Sequence, residues 1–227
     1  MRTITDKAIV LKRVEYGEAD RIVTFLTKSN GRIETIVKGC RKPASKLAGG
    51  IEPFTENDLS WIPRTGEGLH IIRSARGDRH FQNIMQDYDL LQIAYELLAI
   101  TEKVSRAGVE ESLYEVSVAA FELIDNDYDT RLIELWFRLQ ILRLYGHQLD
   151  LSKDSEDNKL DKDSLYALDV EAGSLRLSSH GRLNANHIKA LRLVQEKTPR
   201  QLSQIGGLGE LADDLMLSVK ELCKYHL

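Results

Sequence analysis

Four basic side chains crowd into nine positions of this chain: Lys38, Arg41, Lys42 and Lys46, with Gly39 and Pro43 shaping the segment between them. Lys and Arg at that density on a loop can neutralise phosphates along a nucleic-acid backbone, a contact that needs charge and reach more than fixed geometry. Arg13 and Arg21, on the strands expected beside the loop, would extend the track. A solvated turn explains the same cluster equally well, so it is a candidate only. Trp61, Phe25, Phe54 and Tyr16 are aromatic rings that could stack on bases. In a small barrel most of them are expected in the core instead.

Other residue groupings do not reach chemistry. No HExxH, GxSxG or P-loop occurs. Gly207-Leu208-Gly209-Glu210-Leu211-Ala212 has the form GxGxxA, but no strand precedes it and no acidic partner can follow at the required distance. Asp125, Asp127 and Asp129 have EF-hand spacing, yet Thr130 and Trp136 stand where that loop needs Gly and Glu. A helix-to-helix turn with Asp129 as N-cap is the better reading. The acidic run from Asp154 to Asp163 reads as solvated loop. None of the six histidines pairs at i, i+4, so no helical metal site is expected. No catalytic residue, metal or cofactor is assigned, and a non-enzyme is expected.

Strands must position the basic loop. Lys7–Val14, Arg21–Thr27, Arg32–Lys38, Asp58–Ile62 and Leu69–Ser74 are rich in β-formers, with turns at Tyr16-Gly17-Glu18, Ser29-Asn30-Gly31 and Pro63-Arg64-Thr65-Gly66. Val23 and Phe25 face opposite to Ile22, Thr24 and Leu26. Five short strands with frequent turns predict a small closed barrel, and the pattern leaves both OB-fold and SH3-like types open. Past Phe81 the period becomes helical: one long helix over 83–106, a second over Glu110–Ile124, and a third over Asp129–Leu144. The third is apolar on much of its circumference, which suits the middle of a bundle, with Gly146 as its C-terminal cap. A hairpin around Gly173, a helix over Asn184–Lys197 and a last helix over Leu208–Tyr225 complete the chain. The fold class is therefore α+β, a barrel followed by a helical domain with a small hairpin insert. The domains are expected at 1–80 and 81–227.

Composition narrows the setting. The chain has 227 residues, 42% of them hydrophobic, which is enough apolar material for a core. Residues 1–80 carry 15 Lys and Arg against 10 Asp and Glu, while the remainder carries 16 against 25. A basic front on an acidic back suits a polyanion-facing module, although the overall charge is −4. Arg106, Arg131, Arg138 and Arg143 could form a second basic strip, but ordinary helix-surface charges are the simpler expectation. Two distant cysteines, Cys40 and Cys223, are too few for a disulfide framework and fit a reducing cytoplasm. No signal peptide or membrane span is expected.

The N-terminal run adds a resemblance. Tyr16–Thr27 (YGEADRIVTFLT), Ile36–Gly50 (IVKGCRKPASKLAGG) and Ile51–Phe54 (IEPF) resemble, in order and spacing, the start of the RecO family of bacterial recombinational-repair proteins. YELLAITEKV and LIELWFRLQILRLYGH are similar to that family's first long helix and central buried helix. The resemblance implies an N-terminal OB-fold that binds single- and double-stranded DNA without changing a bond. It implies annealing of complementary strands, partnership with RecR and single-strand binding protein, and indirect help in loading RecA, in a cytoplasmic, nucleoid-associated setting. Lys38, Arg41, Lys42 and Lys46 match the family's basic stretch. Many members carry a four-cysteine zinc module after the central helix; the segment here has no cysteine, so no zinc is expected. The rival expectation is a protein–protein adaptor that does not touch DNA.

Overall fold

The computed structural model describes residues 3–43, 45–64, 68–108 and 111–227. The chain falls into two compact units, Met1–Asn126 and Asp127–Leu227. The first unit begins with β1 (Ile4–Tyr16), β2 (Asp20–Thr27), β3 (Gly31–Val37), β4 (Thr55–Ile62) and β5 (His70–His80). They close into a barrel in the order β1-β2-β3-β5-β4, with β4 returning antiparallel to β1. Every neighbouring pair is antiparallel except β3 and β5, which meet in parallel at Thr35↔His70 and Ile36↔Ile71. Of the two barrel types the sequence leaves open, this is the OB-like one.

The alternation in β2 builds the core as expected. Val23 and Phe25 point inward to join Ala8, Val10, Leu59, Trp61 and Ile72. Burying each large side chain of this kind contributes roughly 1.5–3 kcal/mol. Thr24 and Leu26, on the opposite face, are also buried. The reason is tertiary: helices α2 (Tyr88–Val104) and α3 (Glu111–Asp125) lie against β1, and α3 also against β2. Phe54 links this layer to the strands. It sits in the left-handed region at φ 54°, buried, with its ring 4.9 Å from Tyr95 and 5.4 Å from Phe121.

Two expectations are corrected here. The helix expected over 83–106 is broken: α1 (Gln82–Gln86) stops at Asp87, which is extended and caps α2 by accepting from the N–H groups of Asp89 and Leu90. Strand β5 runs past Ser74 to His80 because two bulges interrupt its alternation. Ser60 pairs with Ser74 but Trp61 with Ile72, leaving Arg73 as the extra residue, and Asp78 is the extra residue nearer the end. In the expected Pro63–Gly66 turn, Thr65 and Gly66 lie outside the described residues, as does Glu110 at the start of the expected second helix.

The second unit is built on α4 (Thr130–Leu144), which is buried over most of its circumference as its composition predicts, and which Asp129 caps. Its C-terminus closes in a Schellman motif: Gly146, at φ 82°, donates to the Arg143 carbonyl and His147 to that of Leu142. The hairpin of β6 (Tyr166–Asp169) and β7 (Ser174–Leu177) turns at Gly173. Helix α5 (Ala185–Glu196) is capped by Asn184. A short α6 (Pro199–Leu202), not foreseen, starts on a proline at its first position, and α7 (Leu208–His226) ends the chain.

Candidate nucleic-acid interface

The chain leaves β3 at Val37 and passes through the basic loop to a 3₁₀ turn (Ala48–Ile51) that docks on β5. Ala44 lies outside the described residues. The loop is pinned at its base. The Gly39 N–H donates to Asp20 Oδ1 (2.7 Å), the Arg41 N–H donates to the Ala19 carbonyl (3.1 Å), and Cys40 inserts into the barrel core. Burial there pushes the Cys40 thiol up from its ordinary pKa, so it acts as an apolar plug rather than a reactive thiolate. The pinned base leaves Lys38, Arg41, Lys42 and Lys46 exposed around it.

These four do not stand alike. Arg41 reaches back to Glu15 (3.3 Å) and to the Glu18 carbonyl (3.3 Å). Among the described residues Lys38, Lys42 and Lys46 make no ion pair, so their full charge faces solvent. Arg13 and Arg21 are partly buried and share one carboxylate, Glu52, which follows the 3₁₀ turn. Arg13 hydrogen-bonds to Glu52 Oε2, and Arg21 lies 3.7 Å from Oε1. Glu52 thus clasps β1 and β2 to the turn. Of the four candidate aromatic rings, Trp61, Phe25 and Phe54 are core and Tyr16 alone is exposed.

The outer face of β1, β2 and β3 forms a groove of about 660 Å³ lined by Lys12, Arg32, Glu34, Glu102 and Arg106 among others. In OB-folds the face of strands 2 and 3 is the usual oligonucleotide surface. Here its charges are largely internal. Arg32 pairs with Glu34 (2.7 Å) and Glu102 (3.0 Å), and Arg106 pairs with the same Glu102 (2.8 Å). Burial alone would push the Glu102 carboxyl up, but hydrogen bonds from Arg106 and Arg32 hold it below the usual carboxylate range.

Two cations escaped the sequence reading. Arg73 and Arg76 of β5 are exposed beside Lys46 and the 3₁₀ turn, in a trough of about 440 Å³. Their i, i+3 spacing points to opposite faces of a regular strand. The bulge at Arg73 shifts the phase so that both face outward, with Ile72 and Ala75 inward. The only sequence signal was the density of arginine in Ile71–Arg79.

In the second unit the arginines form no strip. Arg131 is held by Asp129 (2.8 Å) and Asp213 (3.0 Å), and Arg138 is buried against Glu134 (2.7 Å). The acidic run is more ordered than a solvated loop. Asp154 is buried and accepts from the N–H groups of Glu156 (3.0 Å) and Asn158 (2.8 Å), a side-chain-built turn. These hydrogen bonds hold its carboxyl below the usual range. The donor set after α4 does not fit a four-cysteine zinc module. It holds a single cysteine, Cys223, buried in α7, and His147 stacks on His226 at 4.2 Å instead of converging with other ligands. Among the described residues no group of three or more His, Cys, Asp or Glu could hold a metal, and no helix is long and apolar enough to cross a membrane.

Known proteins are similar to this chain in sequence. Residues 1–80 match the family model described as Recombination protein O N terminal. A DNA repair protein RecO of Dehalococcoides mccartyi is 24% identical over 228 residues, covering 97% of this chain and 89% of that protein. One from Heliobacterium modesticaldum is 26% identical over 216 residues, covering 90% and 78%. One from Exiguobacterium sibiricum is 31% identical over 144 residues, covering 62% and 57%.

Proposed function

From the premise that the chain belongs to the RecO family, we propose that it serves DNA repair and recombination as a non-enzymatic mediator that binds DNA and anneals complementary single strands. The carrying observation is the basic loop of the OB-like barrel, where Lys38, Lys42 and Lys46 keep their charge while the loop's base is pinned by Gly39, Cys40 and Arg41. Two strands repel each other through their phosphates. A rigidly based basic surface that touches both lowers that repulsion without reading bases, so sequence preference is low. Arg41, and Arg13 and Arg21 through the remaining N–H groups of their guanidinium planes, are secondary contacts.

On this reading residues 1–80 are the DNA-binding module and 81–227 the helical body. The partners are single- and double-stranded DNA, RecR and single-strand binding protein, with RecA loading as the indirect outcome, in the cytoplasm at the nucleoid. The family relationship and the DNA-repair names of the relatives support this. One observation favours a second reading, an adaptor that holds proteins: Tyr88, Leu91 and Tyr95 make an apolar patch on α2, with both tyrosines exposed.

Fluorescence anisotropy of a labelled single-stranded oligonucleotide separates the two. The wild type should bind in a salt-sensitive way, and the Lys38/Arg41/Lys42/Lys46→Glu variant should lose binding and annealing. Absence of wild-type binding at low salt would leave the adaptor.

A further inference from the structure

We infer that the trough between the 3₁₀ turn (Ala48–Ile51) and β5, and not the outer face of β1–β3, carries the phosphodiester backbone of a bound single strand along Lys46, Arg73 and Arg76. This rests on the DNA-binding reading above and assigns it a path. Three observations converge on it.

The first is charge. Lys46, Arg73 and Arg76 share the trough, and among the described residues none has a carboxylate within ion-pair distance. Two acids do stand nearby. Asp58 is opposite Arg76 on β4 and Asp78 follows two residues later, but Lys7 draws both away: it lies 3.2 Å from Asp58 and hydrogen-bonds to Asp78. The rival groove has three cations, and two of them are tied to Glu34 and Glu102. A polyanion entering that groove must displace carboxylates already hydrogen-bonded to arginine. In the trough it displaces only water and small ions, the step that gives phosphate contacts their favourable entropy.

The second is shape. Gly50 approaches β5 so closely that a Cβ there would lie 2.3 Å from the Ala75 carbonyl oxygen. Gly49, Gly50 and Gly77 give the trough a floor without side chains, flanked by the cations. A sugar–phosphate chain can follow such a floor, with Ser74 as a hydroxyl partner. The third is continuity. Lys46 belongs both to the trough and to the basic loop that begins at Lys38, so the two cation sets form one band on a single compact unit.

The backbone spacing fits repeated contacts. Arg73 and Arg76 are three residues apart, roughly 10 Å along a strand. Three phosphate contacts should contribute about −2 to the slope of log K against log salt for a single strand.

The test is anisotropy of a fluorescein-labelled oligo-dT of about 30 nucleotides, a length that exceeds the usual site size of one OB-fold. The proteins are full-length wild type, Arg73/Arg76→Glu, the neutral Arg73/Arg76→Gln, and Lys12/Arg106→Glu as the rival-groove control. Circular dichroism and melting establish that each is folded. The inference expects Arg73/Arg76→Gln to weaken binding about tenfold at low salt and flatten the slope by about 1.4, with the Glu variant weaker still. The Lys12/Arg106→Glu variant, with the same change in charge as Arg73/Arg76→Glu, should lose several-fold less affinity than that variant at the same salt. Wild-type affinity in folded Arg73/Arg76→Glu, or an equal loss in the control, overturns the path while leaving DNA binding intact. Failure of the wild type to bind oligo-dT overturns the functional reading itself. Tight, salt-sensitive capture of a labelled poly-Glu peptide with no oligo-dT binding would assign the trough to an acidic protein and overturn the inference.

Discussion

The two grooves of the barrel hold similar numbers of cations and should nonetheless behave differently. On the β1–β3 face, Arg32 and Arg106 converge on Glu102, and Arg32 also holds Glu34. In the trough, Lys46, Arg73 and Arg76 make no ion pair among the described residues, and the two nearby carboxylates, Asp58 and Asp78, are paired with Lys7. A count of basic residues cannot separate these surfaces. What separates them is whether each charge has already been compensated inside the fold, and that depends on contacts far apart in sequence.

Gly50→Ala is the strongest way to break this contrast. Its Cβ has no room against the Ala75 backbone, so the 3₁₀ turn must lift off β5. A stability loss of roughly 1–3 kcal/mol in chemical denaturation is expected, with at least tenfold weaker oligonucleotide binding, while the β1–β3 groove keeps its ion pairs. Unchanged binding would show that the trough is dispensable.

Next comes Glu34→Gln with Glu102→Gln, which should release Arg32 and Arg106 and convert the largely compensated groove into a second polyanion surface. Oligonucleotide affinity at low salt should rise, on the order of threefold, and the gain should vanish in high salt. A fall in affinity would mean those carboxylates position the DNA-binding cations.

A smaller effect is expected from Glu52→Gln. Arg13 and Arg21 lose their shared partner, so stability should drop by about 0–1 kcal/mol because the pairs are partly exposed. Affinity should rise slightly, as measured by competition at fixed salt. The smallest signal is acid sensitivity. The Glu102 carboxyl is held below its ordinary range by Arg106 and Arg32. The stability it contributes is therefore present above the usual carboxylate range and fades as pH falls through its lowered value. In Glu102→Gln that part of the acid-induced decline in melting temperature should be missing.

Local pattern made much of this molecule legible. Inward Val23 and Phe25, the Asn30-Gly31 turn, the all-round apolar α4 and the Asp129 cap follow from period and capping chemistry. The loop cations were legible for the same reason, being adjacent in sequence. Strand β5 was cut short and its arginines missed because a bulge abolishes the alternation on which strand reading depends. The break at Asp87 was missed because the apolar spacing continues across it. The clasp of Arg13 and Arg21 by Glu52 spans 31 to 39 residues and leaves no local trace.

The ring of strands also has a weakest link. β1 and β2 pair from Ala8↔Thr27 to Tyr16↔Asp20, whereas among the described residues β3 and β5 meet only at Thr35↔His70 and Ile36↔Ile71. With so few paired positions holding it, that seam is the one expected to open first by local fluctuation. Because the basic loop leaves from β3 and the trough lies on β5, breathing at the seam would alter the spacing between the two halves of the cation band while each strand keeps its other neighbour. Amide hydrogen exchange at Ile36 and Ile71 should therefore run ahead of that at Val23 and Phe25, and a strand bridging both halves should slow it.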